Sequence, residues 1–186
     1  LIRAETEALT AANKIITSHT AVAALFPDKV ELLPWKMPEV SRTKNKSNDK
    51  LVIVFPASTV GRKGCYELRE AIRDLDVKLI TLGPYIEDAE FWNGFDVVRG
   101  GEDWLDHADL VVLPAFVEHR PRRLLKAAAA GIPVLASTAC CVDKIVNIAT
   151  IKAGDVESLR RAIAEAVDPA SEAHINVRDA PAVVRG

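Results

Sequence analysis

The sequence is short of aromatic residues, at 5%, and holds three cysteines, one methionine and no excess of either charge. Each shortage excludes something. Lysine plus arginine number 24 against 26 aspartate plus glutamate, a net charge of -2, so nothing in the balance points to nucleic acid or a membrane surface as a partner. No run approaches the roughly 18 apolar residues of a transmembrane helix, and no secretory signal pattern is visible. The cysteine count is odd, and Cys140 and Cys141 are adjacent. That argues against a disulfide framework and for a reducing compartment, here taken as the cytoplasm. The pair lacks metal-ligand spacing and an evident histidine partner, so no metal site is expected and both read as buried small hydrophobes. His19, His107 and His174 have no matched Ser, Cys or Asp at a spacing that suggests a triad. Neither a Walker A loop nor a dinucleotide fingerprint occurs. The chain opens at Leu1 rather than Met, which reads as a piece of something longer.

What is present is 186 residues at 49% hydrophobic, enough for one domain with a sizeable core plus an appendage. The clearest stretch is Ala108–Ser137. Leu110–Leu113 is a continuous apolar run, the pattern of a strand buried on both faces of a parallel sheet. Pro114 ends it, and Pro121 suits a helix start, where a missing N–H costs nothing. Leu124, Leu125 and Ala127 to Ala130 give a helix with an apolar stripe, Gly131 stops it, and Ile132–Ala136 is a second buried strand. Parallel strands need such a crossover, and ligands of these sheets sit beyond the carboxyl ends of the strands. The loop Ala115–Arg120 is at one such end.

Upstream, Leu1–Phe26 reads as helix, or as a helix, a short strand at Lys14–Thr17 and a second helix capped by Ser18 or Thr20. Lys29–Leu33 is a strand, and Arg42–Lys50 is a polar, basic linker. Strands then alternate with helices from Leu51 to Val167: strands at Leu51–Phe55, Val77–Leu82 and Phe95–Val98, helices at Lys63–Leu75, Tyr85–Trp92 and around Trp104. A strand within Ile145–Ile151 and a helix capped by Asp155 close the series. This alternation means a parallel α/β sheet, three-layered with helices on both faces. Ser58–Gly64, STVGRKG, joins a strand to a helix. Free N–H groups and the helix dipole make such a loop an anion site, with Arg62 and Lys63 adding charge; the alternative is a bland surface turn.

The motifs Leu113-Pro114-Ala115, Glu118-His119-Arg120-Pro121, Leu124-Leu125-Lys126-Ala127 and Ala130-Gly131-Ile132-Pro133-Val134-Leu135-Ala136-Ser137 occur in that order. Together with Lys63-Gly64 they resemble the donor-binding domain of the group 1 glycosyltransferases of GT-B fold. Ala12–Pro38 is similar to that family's segment before the interdomain linker. The resemblance implies residues 1–40 as a remnant of an N-terminal domain, 41–50 as linker, 51–168 as a Rossmann-like donor-binding domain and 169–186 as tail. It implies transfer of a sugar from a nucleotide-sugar, which enters as substrate rather than cofactor, to an unknown acceptor. An N-terminal acceptor domain is the expected partner, and the chain alone is expected to be inactive.

Residue by residue, the resemblance puts Lys63 and Gly64 at the donor diphosphate. Ser58 stands where the family has an arginine, for which Arg62 is the substitute. Gly83 and Val98 fall at strand ends near the base, although two plain turns explain them as well. Glu118 is the carboxylate by the donor sugar and phosphate, the catalytic candidate. Lys126 stands where a second Glu accepts hydrogen bonds from ribose hydroxyls, a role an ammonium with three donors and no acceptor does not fill. His119 replaces the family glycine. With Arg122 and Arg123 these changes make a basic edge, read either as a grip on a more anionic ligand or as a solvated surface. The alternatives to a transferase are a non-catalytic module binding an anion or a protein, and half of a sugar-nucleotide epimerase.

Overall fold

The structure, a computed structural model, describes residues 2–43 and 50–167. Residues 44–49 of the expected linker and the expected tail, 169–186, lie outside these. The chain divides into two compact units, Leu1–Met37 and Pro38–Gly186.

The first unit contains α1 (Ile2–Ala11), β1 (Ile15–Thr17), α2 (Thr20–Leu25) and β2 (Val30–Leu32). Of the two readings of its start, the one with a strand holds. β1 pairs in parallel with β2, and the bonds Ile15 N–H to Lys29 O (2.8 Å) and Leu33 N–H to Thr17 O (2.8 Å) close the pair at both ends. A helix running through Lys14–Thr17 would forfeit these bonds.

The second unit runs β3 (Leu51–Phe55), α3 (Cys65–Ala71), β4 (Val77–Thr81), β5 (Val97–Arg99), α4 (Trp104–His107), β6 (Leu110–Leu113), α5 (Arg122–Ala129), β7 (Val134–Ser137), β8 (Ile148–Ile151) and α6 (Val156–Val167). All six strands are parallel, in the order β5-β4-β3-β6-β7-β8. The chain winds outward one way from β3, then returns and winds the other way from β6. Right-handed crossovers therefore put α3 on one face and α4 and α5 on the other. α6 packs against α3, where Arg160 donates to Glu70 O at 2.6 Å. Every residue of β6 and β7 is buried, as the unbroken apolar runs require. Gly131, at φ 73°, ends the α5 segment in the left-handed region, and Asp155 caps α6 through the Ser158 N–H at 3.0 Å.

The stretch expected as a helix at Tyr85–Trp92 is not one. Tyr85 pairs with Thr59, and the N–H groups of Ile86 and Glu87 donate to Thr59 O at 2.9 and 3.0 Å. These bonds pin the start of the segment to the loop after β3, and only turns follow, closed by Phe91 N–H to Asp88 O at 3.0 Å and Asn93 N–H to Glu90 O at 2.8 Å. Trp92 completes this clamp. It is buried among Phe55, Phe91 and Phe95 and donates from Nε1 to the buried Thr59 hydroxyl at 3.0 Å. Trp92→Phe keeps most of the packing and removes that donor. An expected loss of about 1–3 kcal/mol, the cost of a buried group deprived of its partner, is measurable as a lower urea midpoint.

All three cysteines are buried free thiols, as expected for Cys140 and Cys141. Burial, with Glu87 and Glu67 adding to it, pushes the Cys65 thiol up to about 12. Burial likewise pushes Cys140 up to about 11, against a smaller opposing pull from its bond with Ser137. Thiols held protonated in this way are packing groups rather than nucleophiles.

Candidate functional site

A sheet that winds outward in both directions leaves a crevice beyond the carboxyl ends of the two strands where it reverses, because the crossovers leave on opposite faces. Here those strands are β3 and β6, and a cleft of about 280 Å³ lies at their ends. Pro56, Ala57 and Ser58 form one wall, the segment Glu118–Leu124 the other, and Lys63 and Leu113 contribute between them.

The loop after β3 is held from several sides. Thr59 N–H donates to Pro84 O at 2.9 Å, and the Gly61 N–H donates to Glu87 Oε1 at 2.8 Å. The Tyr66 hydroxyl donates to the other Glu87 oxygen at 2.8 Å. Gly83 lets the turn after β4 lie on this loop, since a Cβ there would stand 2.4 Å from Ser58 N. Gly64, at φ 78°, meets the end of β6 in the same manner, with a Cβ position 2.2 Å from Pro114 O. The N–H groups of Thr59, Gly61, Lys63 and Gly64 are all spent on internal acceptors. These bonds hold in place the loop that carries Lys63.

Lys63 crosses to the loop after β6. Its Nζ donates to Val117 O at 2.8 Å and to Glu118 Oε2 at 3.0 Å, with both side chains largely buried, at 13% and 14% exposed. Below it, the Phe116 N–H donates to Arg62 O at 3.0 Å. Glu118 Oε1 accepts from the Arg120 N–H at 2.8 Å. Burial pushes the Glu118 carboxyl up, but the Arg120 N–H and the Lys63 ammonium together outweigh it and hold the group below the usual range. Arg123 donates from Nη1 to Pro56 O at 2.8 Å and so ties α5 to the end of β3.

Because the folded carboxyl of Glu118 lies below the usual value of 4.5, its contribution to stability is complete above that pH and is lost as the pH falls through the lower folded value. Glu118→Gln is therefore expected to lose stability at pH 7 and to show a shallower acid limb below pH 4.5 than the parent. Urea midpoints at pH 7 and at successive acid values check this.

A family model described as glycosyl transferases group 1 matches residues 20–168. The chain belongs to that family. Among solved structures, the C-terminal domain of a group 1 glycosyltransferase, LpcC from Francisella tularensis, matches at 17% identity and TM-score 0.52, covering 61% of this chain and 73% of that one. The lipopolysaccharide outer core galactosyltransferase WaaB matches at 15% identity and TM-score 0.70, covering 87% of this chain and 54% of that one. The sucrose-phosphate synthase of Thermosynechococcus elongatus matches at 16% identity and TM-score 0.62, covering 82% and 48%. The chain thus spans about half the length of those two full transferases, and the likeness is one of fold. Among curated proteins, none matched the sequence.

Of the group 1 positions picked out from the sequence, the fold brings Ser58, Lys63, Glu118 and Arg122 to one cleft. Gly64 and Gly83 stand behind it as close-approach glycines. Arg62 and Lys126 are exposed and do not line it. Val98 lies in a second cleft, with Lys78, Ile80 and Gly100, over the outer strands β4 and β5. Arg120 and Arg123 were visible only as part of a basic stretch, and here they line the main cleft. Glu87 and Trp92, the clamp on the loop, left no signal in the sequence because their partners are 26 and 33 residues away. Among the described residues, no group of three or more His, Cys, Asp or Glu is placed to hold a metal ion. No helix of the described residues is long and apolar enough to cross a membrane.

Proposed function

We propose that the second unit binds the nucleotide-sugar donor of a glycosyl transfer, gripping its diphosphate in the cleft between β3 and β6. The observation that carries this reading is Lys63, fixed at the switch point between Val117 O and Glu118. An ammonium has three donors. Two are engaged, and the third is left for a phosphate oxygen. Glu118 is ionised at neutral pH and accepts only, so it orients Lys63 rather than supplying a proton. As the sugar–phosphate bond breaks, charge grows on the leaving diphosphate. A fixed cation, with arginines beside it, stabilises that charge without reorganising. The donor enters as a substrate, and acceptor recognition falls to residues outside this unit. Three buried free thiols fit a reducing compartment such as the cytoplasm.

Titration calorimetry with UDP, GDP, ADP and pyrophosphate tests the reading. Saturable binding of one nucleoside diphosphate above the others supports it and names the base. Equal binding of pyrophosphate and all three nucleotides means a grip on phosphate alone. No binding to any of them moves the weight to a non-catalytic module on the same fold, a reading that Lys126 favours by standing exposed where a ribose-binding carboxylate is expected.

A further inference from the structure

We infer that the donor sugar carries a carboxylate: the cleft selects a nucleotide-sugar acid over its neutral counterpart, an inference that rests on the donor-binding reading above. Charge balance carries it. Lys63, Arg120, Arg122 and Arg123 line the cleft against one carboxylate, Glu118. Lys63 and Glu118 are paired with each other. Three guanidiniums remain, all on residues exposed at the open side of the cleft, and none of them has a carboxylate partner among the described residues; Arg123 reaches only a backbone carbonyl, Pro56 O.

A sugar diphosphate diester brings two negative charges. Two guanidiniums are matched by it, and the third is matched only if the ligand brings another anion. The geometry of the wall points to where that anion sits. Arg120 bonds Glu118 through its backbone N–H at 2.8 Å, and Glu118 is the carboxylate that the donor-binding reading sets beside the sugar, so the further anion is placed on the sugar. A planar carboxylate suits the guanidinium fork, which holds it by two parallel hydrogen bonds, whereas a hydroxyl offers neither the charge nor the paired acceptors.

The placement of the arginines points the same way. Arg122 and Arg123 open α5, where the positive end of the helix dipole disfavours cations. Three basic residues gathered there oppose local stability, which a ligand anion offsets on binding. Arg120→Ala/Arg122→Ala is accordingly expected to fold at least as well as the parent, and Arg123, which ties α5 to β3, is left in place.

The test is calorimetry on the chain with two matched pairs, UDP-glucose with UDP-glucuronate and GDP-mannose with GDP-mannuronate, at one ionic strength. In the pair carrying the preferred base, the acid is expected to bind about tenfold tighter, the size of one charge-assisted contact. In the double variant that ratio is expected to fall to about one. Equal or tighter binding of the neutral donor overturns the inference and leaves the donor-binding reading standing. A ratio unchanged in the variant also overturns it, because the preference then arises elsewhere. Failure of all four donors to bind, with no binding of UDP, GDP or ADP either, overturns both.

Discussion

Gly64→Ala is expected to be the most destabilising single methyl this fold can receive near the site. Two costs add. The residue sits at φ 78°, where a side chain loses about 1–2 kcal/mol against its own backbone. The new Cβ would also stand 2.2 Å from Pro114 O and 2.6 Å from its carbonyl carbon, both main-chain atoms that move only with the end of β6. Forcing extra volume into packed structure typically costs another 1–3 kcal/mol. A total of about 3–4 kcal/mol is a large share of a domain's 5–15 kcal/mol and lowers Tm by roughly 10 °C or more. Gly131→Ala is the matched control, because Gly131 has φ 73° but nothing within 4 Å of its Cβ position. It is expected to pay only the backbone part. Thermal melts of the two variants, side by side, isolate the close approach of α3 to β6. Equal shifts would mean that the contact with Pro114 is not tight.

Lys63→Ala is expected to have the largest effect on binding. The variant loses a charge-assisted donor, worth about 1.5–3 kcal/mol, and it also leaves the Glu118 carboxylate in the cleft without its cation. An unpaired anion then faces the phosphates. Affinity for the preferred nucleoside diphosphate should fall about 100-fold or more. Lys63→Ala/Glu118→Ala removes both charges and is expected to recover part of that loss, because the repulsion goes while the missing donor does not return. Affinities of parent, single and double variants by calorimetry decide it. If the single variant binds within threefold of the parent, Lys63 does not touch the ligand.

Much of the second unit was legible in the sequence because its signals are local. Leu110–Leu113 and Val134–Ser137 announce themselves as unbroken apolar runs, and Gly131 and Asp155 punctuate helices by their own chemistry. The error at Tyr85–Trp92 came from a non-local source. The N–H groups of Ile86 and Glu87 go to Thr59 O, and no helical spacing reveals an acceptor 27 and 28 residues upstream. The site divides in the same way. Lys63 and Glu118 could each be picked out by their own motifs, and only the fold shows that they pair, 3.0 Å apart. Arg123 could not be separated from its basic neighbours, since what fixes it is the carbonyl of Pro56, and a backbone acceptor leaves no mark on composition. Gly83 was legible as a turn, whereas its real constraint, the backbone of Ala57 and Ser58 lying against it, depends on how two loops meet.

The most direct measurement is amide NMR of the chain titrated with UDP and GDP. Binding at the switch point requires the shifts to concentrate at Ala57, Ser58, Lys63 and the segment Glu118–Leu124, with those of Lys63 and Glu118 lost in Lys63→Ala. Shifts gathered instead around Lys78, Val98 and Gly100, over the outer strands, would contradict a donor held between β3 and β6.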